Sequence, residues 1–194
     1  VRPADGCTAP LPPTLEVTVT DPDSATVDVS FYGRPKAGGA EDFTLVVLPD
    51  SQRYADFRTG YPDYSATFYA QTQWIADQKT ARNIVFVTHV GDLVEDNLDA
   101  GWVVADAAFD KLDVAEIPYS VGIGNNDFTG TDYSKFASWF GISRFSGKPW
   151  YGGHFDSNNV NNYSLFSASG MDFIVINLNY DPSAEELAWA DGLL

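Results

Sequence analysis

Cysteine and histidine are scarce in this chain of 194 residues, and basic residues are few. The single cysteine, Cys7, excludes an internal disulfide and a zinc site built from several cysteines. No apolar run approaches the roughly 20 residues that a bilayer span requires, so we expect no membrane span. With 11 basic against 27 acidic residues the formal net charge is −16, which repels phosphate backbones and anionic lipids. We therefore expect no nucleic-acid-coating role.

Hydrophobic residues make up 44% of the chain, enough for a packed core, and the sequence pattern divides the chain into three parts. Residues 1–13 are rich in proline and predict an extended tail. Residues 14–42 hold two alternating runs around Asp21-Pro22-Asp23-Ser24, which predict a β hairpin, and then a linker that contains glycine and proline. Residues 43–194 predict a single α/β domain.

Apolar strands alternate with amphipathic helices in this third part. The predicted strands are 43–48, 84–90, 119–123, 163–168 and 173–178. The predicted helices are 64–82, 99–115, 134–140 and one that begins near Ser183. Strands that are apolar on both faces and alternate with helices favour a parallel sheet. The last two strands are joined by Ser169-Gly170-Met171-Asp172, which predicts a hairpin, and an aromatic loop is expected over 141–162.

Polar side chains follow each of the first three predicted strands. Asp50 and Gln52 follow the first strand, Asp92 the second and Asn125 the third. In a parallel sheet the carboxyl ends of neighbouring strands share one edge, so these side chains are expected to converge. Oxygen ligands gathered in this way suit a divalent cation. Each residue alone is also a common turn former, so their convergence is the feature that favours a site.

These strand ends resemble those of a known family. The three blocks are Leu48-Pro49-Asp50-Ser51-Gln52, Val90-Gly91-Asp92-Leu93-Val94-Glu95-Asp96 and Gly122-Ile123-Gly124-Asn125-Asn126-Asp127. In order and spacing they resemble the first three blocks of the calcineurin-like metallophosphoesterases, over roughly residues 42–194. The first block and the Gln71–Trp74 segment are similar to secreted bacterial members, in which an immunoglobulin- or fibronectin-like region often precedes the catalytic domain.

The resemblance implies the N-terminal portion of a metallophosphoesterase-like sandwich, preceded by a short β hairpin from such a region. It also implies a secreted or extracellular location. In the family two metals lie at the strand ends. Carried over by residue, Asp50 and Gln52 bind the first metal, Asp92 bridges both, and Asn125 binds the second.

Asn126 and Asp127 stand in the family's catalytic block. The implied cofactors are two divalent ions (Fe, Mn, Zn, Mg or Ca) that activate water against a small phosphorylated substrate, either a phosphomonoester or a phosphodiester.

Departures from the family pattern keep an alternative open. Position 52 is Gln and position 126 is Asn, where the family mostly has His. An amide is a weaker ligand than imidazole for zinc or iron, and it supplies no proton. The family's later His-containing block is not found in these residues. The alternative is a catalytically degenerate module with a binding or structural role, completed by self-assembly or by another segment or chain that pairs with the incomplete sheet.

The two histidines and the aromatic loop have separate interpretations. His89 lies on a buried strand and is predicted to be a hydrogen-bonded structural residue, with a metal-ligand or supporting role as the alternative. His154 lies in a long loop and is a candidate for substrate binding. The aromatic residues over 139–151 are expected to pack the loop rather than to form a binding platform. Asn162-Tyr163-Ser164 is a glycosylation sequon.

Overall fold

The computed structural model describes residues 41–194; the predicted tail, the β hairpin and most of the linker lie outside the described residues. The strands are β1 Thr44–Leu48, β2 Ile84–His89, β3 Tyr119–Val121, β4 Tyr151–His154, β5 Asn162–Ala168 and β6 Met171–Asn177. The helices are α1 Ser65–Gln78, α2 Asp99–Val114, α3 Ser134–Phe140, α4 Ile142–Phe145 and α5 Ala184–Asp191. None of the helices in this part of the chain is long and apolar enough to cross a bilayer.

The first three strands form a parallel sheet in the order β1-β2-β3, as the sequence pattern predicts. Helices α1 and α2 pack on one face, where Phe68 and Phe109 meet in an edge-to-face contact with ring centroids 6.0 Å apart. The second sheet covers the other face, since Phe86 of β2 stacks on Phe166 of β5 at 4.6 Å. The mixed α/β architecture is therefore confirmed as a parallel sheet between a helical layer and an antiparallel sheet.

The antiparallel sheet has the order β4-β5-β6. The predicted hairpin between β5 and β6 is confirmed: its two-residue loop, Ser169-Gly170, has positive φ at both positions, as a type I′ turn requires. The expected loop over 141–162 is partly wrong, because α4 and β4 lie within it. The glycines of β4 have a low strand propensity, so the sequence does not predict this strand. Glycine is needed at position 152 because a Cβ there would lie 2.1 Å from the Tyr163 ring.

Aromatic residues fill the core between the layers. The largest fully buried side chains include Trp102, Tyr119, Phe68, Phe86 and Phe109. The aromatic residues over 139–151 also pack here, with Phe140 and Phe145 buried and the others partly buried against the core, as expected. This rigid packing fixes the strands whose ends carry the candidate site.

Strand β1 lies at the edge of the parallel sheet. Its sequence is apolar on both faces, as in strands buried at the centre of a sheet, yet Leu45 and Val47 are 43% and 53% exposed. Among residues 41–194 no strand pairs with the outer side of β1. The expected pairing of this edge with another segment or chain stays a prediction.

Candidate metal centre

The last residues of the three parallel strands lie side by side. Leu48 of β1 is in register with His89 of β2, which is in register with Val121 of β3. The three loops that follow therefore leave the same edge of the sheet. These loops carry the predicted metal ligands Asp50, Gln52, Asp92 and Asn125.

The first loop runs directly beside the second. The N–H of Ser51 donates a hydrogen bond to the carbonyl of Asp92 at 3.0 Å. Asp50 precedes this contact and is exposed. Gln52 follows it at the start of a short 3-10 turn, and its Oε1 is buried without a hydrogen-bond donor among the described residues. A buried oxygen left unpaired costs roughly 1–3 kcal/mol, so a cation at this position would remove a real penalty.

The second and third loops meet through Asn126. Its backbone N–H donates to Oδ1 of Asp92 at 2.9 Å, and its side-chain Nδ2 donates to Oδ2 of Asp92 at 3.1 Å. An ionised carboxylate offers about four lone-pair sites, so each oxygen keeps one site open. Asn126 therefore orients the carboxylate that the sequence assigns to a bridging role.

Two glycines allow the second and third loops to come this close. A Cβ on Gly124 would lie 2.2 Å from Oδ1 of Asp92, and a Cβ on Gly91 would lie 2.7 Å from the backbone N of Gly124. Asp92 itself has a φ of 54°, a left-handed conformation that Asp tolerates better than most residues. Gly91 and Gly124 are therefore steric requirements of this edge.

Asp127 joins the same two loops from inside the protein. Its Oδ1 accepts hydrogen bonds from the N–H groups of Leu93 and Val94 at 2.7 and 3.0 Å, and its Oδ2 accepts one from Gly124 at 2.9 Å. Burial raises the pKa of Asp127 to about 7, although the three N–H groups favour the charged form. The side chain is fully buried and holds the two loops together, and its assignment as a catalytic residue stays a prediction.

The other two candidates, Asn125 and His154, are exposed. Asn125 directly precedes Asn126, so it belongs to the loop that contacts Asp92. His154 ends β4, and its Nδ1 lies 2.9 Å from the hydroxyl of Tyr151. Its assignment to substrate binding stays a prediction.

No group of three or more His, Cys, Asp or Glu side chains is placed to hold a metal ion within residues 41–194. The predicted ligand set contains only two such side chains, because two of its four members are amides. Asp50 and Asp92 supply the carboxylates, while Gln52 and Asn125 supply amide oxygens. Such an all-oxygen set suits hard cations such as Mg²⁺, Mn²⁺ or Ca²⁺ better than zinc.

Sequence reasoning missed two buried amides that tie the second sheet to this edge. Asn162 of β5 donates to the carbonyls of Val121 and Asn159 at 3.3 and 2.9 Å, and Asn177 of β6 donates to Oδ1 of Asn162 at 3.0 Å. The available signal was a polar residue at the end of an apolar strand. Asn162 is the sequon residue and is only 3% exposed, so the folded protein offers no room for a glycan there.

No protein-family model matches the chain. The chain is 37% identical over 155 residues to the uncharacterized protein YvnB of Bacillus subtilis (strain 168), an alignment that covers 78% of this chain and 12% of that protein. The chain thus spans about one eighth of the length of this relative. Among solved structures, a dimetal phosphatase from Danio rerio is similar with a TM-score of 0.43 and 16% identity, over 78% of this chain and 51% of that one.

Proposed function

We propose that residues 43–194 contribute part of a two-metal centre that hydrolyses phosphoric esters. The observation that supports the proposal is the register of the three strand ends, since the loops that follow them leave one edge of the sheet and carry four oxygen-bearing side chains. These side chains are Asp50, Gln52, Asp92 and Asn125. The order of the blocks, which resembles that of calcineurin-like metallophosphoesterases, supports the same conclusion.

The residues at this edge fit a divalent cation. The buried Oε1 of Gln52 has no donor among the described residues, and a cation would satisfy it. Asp92 keeps an open lone-pair site on each oxygen, which is what a bridging carboxylate needs. Gly124 keeps side-chain bulk away from the carboxylate. In this proposal Asp50 and Gln52 hold the first ion, Asp92 contacts both, and Asn125 holds the second.

Charge explains why such a centre would need cations to act on phosphate. The chain has a formal net charge of −16, so its general field repels an anionic substrate. Two bound cations would attract the phosphoryl group, neutralise its developing charge and lower the pKa of water. The protein's own part is to hold the ligands in place and to orient the substrate.

Asn126 determines how fast we expect phosphoric esters to be hydrolysed. Its amide lies 3.1 Å from Asp92 and can donate a hydrogen bond to a phosphoryl oxygen, but it has no proton to give to a leaving group. The leaving group would have to take its proton from solvent. We therefore expect slow turnover, with substrates that have good leaving groups hydrolysed faster than alkyl phosphates.

One observation favours a second candidate function, that of a catalytically degenerate module with a binding or structural role. Both oxygens of Asp92 already accept hydrogen bonds from Asn126, so the carboxylate is held in place without a cation. In this alternative the amide at position 126 has replaced the metal ions as the partner of Asp92. The two candidates differ in metal content.

Titration of the metal-free protein with Mn²⁺ in a calorimeter separates the two candidates. The enzyme proposal expects Mn²⁺ to bind, with up to two ions per chain, together with slow Mn²⁺-dependent hydrolysis of p-nitrophenyl phosphate or bis(p-nitrophenyl) phosphate. The degenerate module expects neither heat of binding nor hydrolysis. Binding without hydrolysis would assign a metal-binding role that is not catalytic.

Replacing Asp92 by Asn tests the bridging ligand. Asn keeps the shape of the side chain and tolerates the left-handed backbone at this position, so folding should survive. We expect Mn²⁺ binding to weaken by about a hundredfold or more, because the carboxylate charge is lost. Asp77→Asn is the matched control, since it removes one exposed acidic charge near the end of α1, just before β2 begins. Unchanged affinity in Asp92→Asn would remove the bridging assignment.

A further inference from the structure

The imidazole of His89 stands at the end of β2, three residues before Asp92. His89 ends β2 and is fully buried, and Phe68 of α1 and Phe109 of α2 pack against its ring with centroid distances of 6.2 and 6.0 Å. These aromatic contacts from two helices leave the ring little freedom to turn. Both ring nitrogens are used in hydrogen bonds to the loops.

The hydrogen bonds fix the tautomer of the ring. The N–H of Gly91 lies 3.2 Å from Nδ1, and because a backbone N–H can only donate, Nδ1 must accept. Nε2 then carries the hydrogen and donates to Oγ of Ser51 at 3.0 Å. The Ser51 hydroxyl in turn donates to the carbonyl of Leu93 at 3.1 Å. One neutral imidazole thus connects the first loop with the second.

Ser51 lies at the centre of this connection. It accepts from the imidazole, donates its hydroxyl hydrogen within the second loop, and donates its N–H to the carbonyl of Asp92 at 3.0 Å. Asp50 and Gln52 flank Ser51 on either side, and Gly91 directly precedes Asp92. The positions of all three predicted ligands in these loops therefore depend on contacts one residue away from them.

We propose that His89 is a positioning residue for the metal centre: through Ser51 and Gly91 it sets the separation between the ligands of the first loop and Asp92. This inference rests on the proposed function for its metal. His89 is not itself a ligand, because neither ring nitrogen has a lone pair left for a cation. It acts in the way that hydrogen-bond partners behind a metal site orient the ligands in front of them.

The test uses the full chain and three variants that alter the hydrogen bonds joining Ser51, His89 and Gly91. Ser51→Ala removes the hydroxyl, His89→Leu removes both ring hydrogen bonds, and His89→Gln keeps an amide N–H near the place of Nε2. Ile117→Ala is the matched control, since Ile117 is fully buried but precedes β3, at the opposite end of the sheet from the loops. The Ile117→Ala variant loses core packing and therefore stability, but it keeps the hydrogen bonds of His89 and Ser51.

The first measurement is the affinity for Mn²⁺ alone, with the melting temperature of each variant. We expect affinity to fall at least about tenfold in Ser51→Ala and His89→Leu, to recover partly in His89→Gln, and to stay near wild type in Ile117→Ala. The inference would be overturned if the Mn²⁺ affinity of all four variants fell in proportion to their melting temperatures, because His89 would then act on stability only.

A second measurement separates this inference from the proposed function. Hydrogen exchange of the Ser51 and Gly91 amides reports how often the two loops open locally, and the measurement needs no metal. We expect faster exchange at Gly91 in Ser51→Ala, and at both amides in His89→Leu, relative to Ile117→Ala. If the wild type binds no Mn²⁺ but exchange behaves in this way, the metal proposal fails and His89 is left as a residue that holds the two loops together. Wild-type exchange in the folded variants refutes the positioning role, whatever the metal result.

Discussion

At the scale of single residues, Asn126 bears on both candidate functions. Its backbone and side chain both bind Asp92, so it orients the carboxylate that would bridge two cations. The same amide cannot protonate a leaving group, in contrast to the imidazole that occupies this position in the family the sequence resembles. The orienting role and the missing proton predict a site that is well formed but slow.

Replacing Asn126 by His tests this prediction. The new imidazole would stand close to Asp92, with a proton to donate, and general-acid catalysis contributes about a hundredfold to ten-thousandfold in other enzymes. We expect kcat for p-nitrophenyl phosphate to rise at least about tenfold in the presence of Mn²⁺. The double variant Asp92→Asn/Asn126→His is the control and should show no gain. A wild-type rate in the single variant would count against the enzyme proposal.

At the scale of elements, helix α5 shows how local sequence signals set a boundary. The hydroxyl of Ser183 accepts from the N–H of Glu186 at 3.2 Å, and the Glu186 carboxylate accepts from the N–H of Ser183 at 2.6 Å. Glu186 also accepts from Asn161 at 2.6 Å, so the cap is tied to the residue that precedes β5. The capping box predicted from Ser183-Ala184-Glu185-Glu186 is confirmed and links α5 to the second sheet.

Removing the cap should weaken the protein by a measurable amount. Ser183→Ala loses one of the two reciprocal hydrogen bonds, and we expect the free energy of unfolding in urea to fall by about 1 kcal/mol. Ser138→Ala is the control, because Ser138 is inside helix α3 and its hydroxyl donates to the carbonyl of Ser134 in the same helix. That control should stay within about 0.5 kcal/mol of wild type. Equal losses in both variants would contradict the capping argument.

At the scale of the whole molecule, burial of His89 makes the free energy of unfolding depend on pH. Burial lowers the pKa of His89 from its ordinary 6.5 to about 3. The unfolded chain takes up this proton below pH 6.5, whereas the folded protein does so only near pH 3. The stabilising contribution is therefore complete above pH 6.5 and is lost as the pH falls from 6.5 toward 3.

The expected result is a pH-dependent difference between wild type and His89→Gln. Between about pH 7.5 and pH 5.0 the free energy of unfolding of the wild type should fall by about 2 kcal/mol relative to the variant. Comparing the two proteins removes the changes in carboxylate repulsion that both share. Ile117→Ala, which alters a fully buried residue that does not titrate, should keep the wild-type dependence. Identical pH profiles for wild type and His89→Gln would contradict the prediction.

The sequence alone determined the features that depend on near neighbours. The alternation of apolar strands and helices, the hairpin at Ser169-Gly170 and the cap at Ser183 follow from periodicity, turn chemistry and side-chain hydrogen bonding, all of which act within a few residues. For the same reason β4 was missed, because the glycines at 152 and 153 carry no strand preference and are needed only for contact with Tyr163.

The tertiary structure decided which contacts the polar residues at the strand ends make. Asp127 and Asn126 look alike in sequence as polar residues of one turn, yet one side chain is buried against backbone N–H groups and the other meets Asp92. The connection from His89 through Ser51 joins residues that are 38 positions apart. Hydrogen bonds between distant segments depend on register and packing, and neither is encoded in any local pattern.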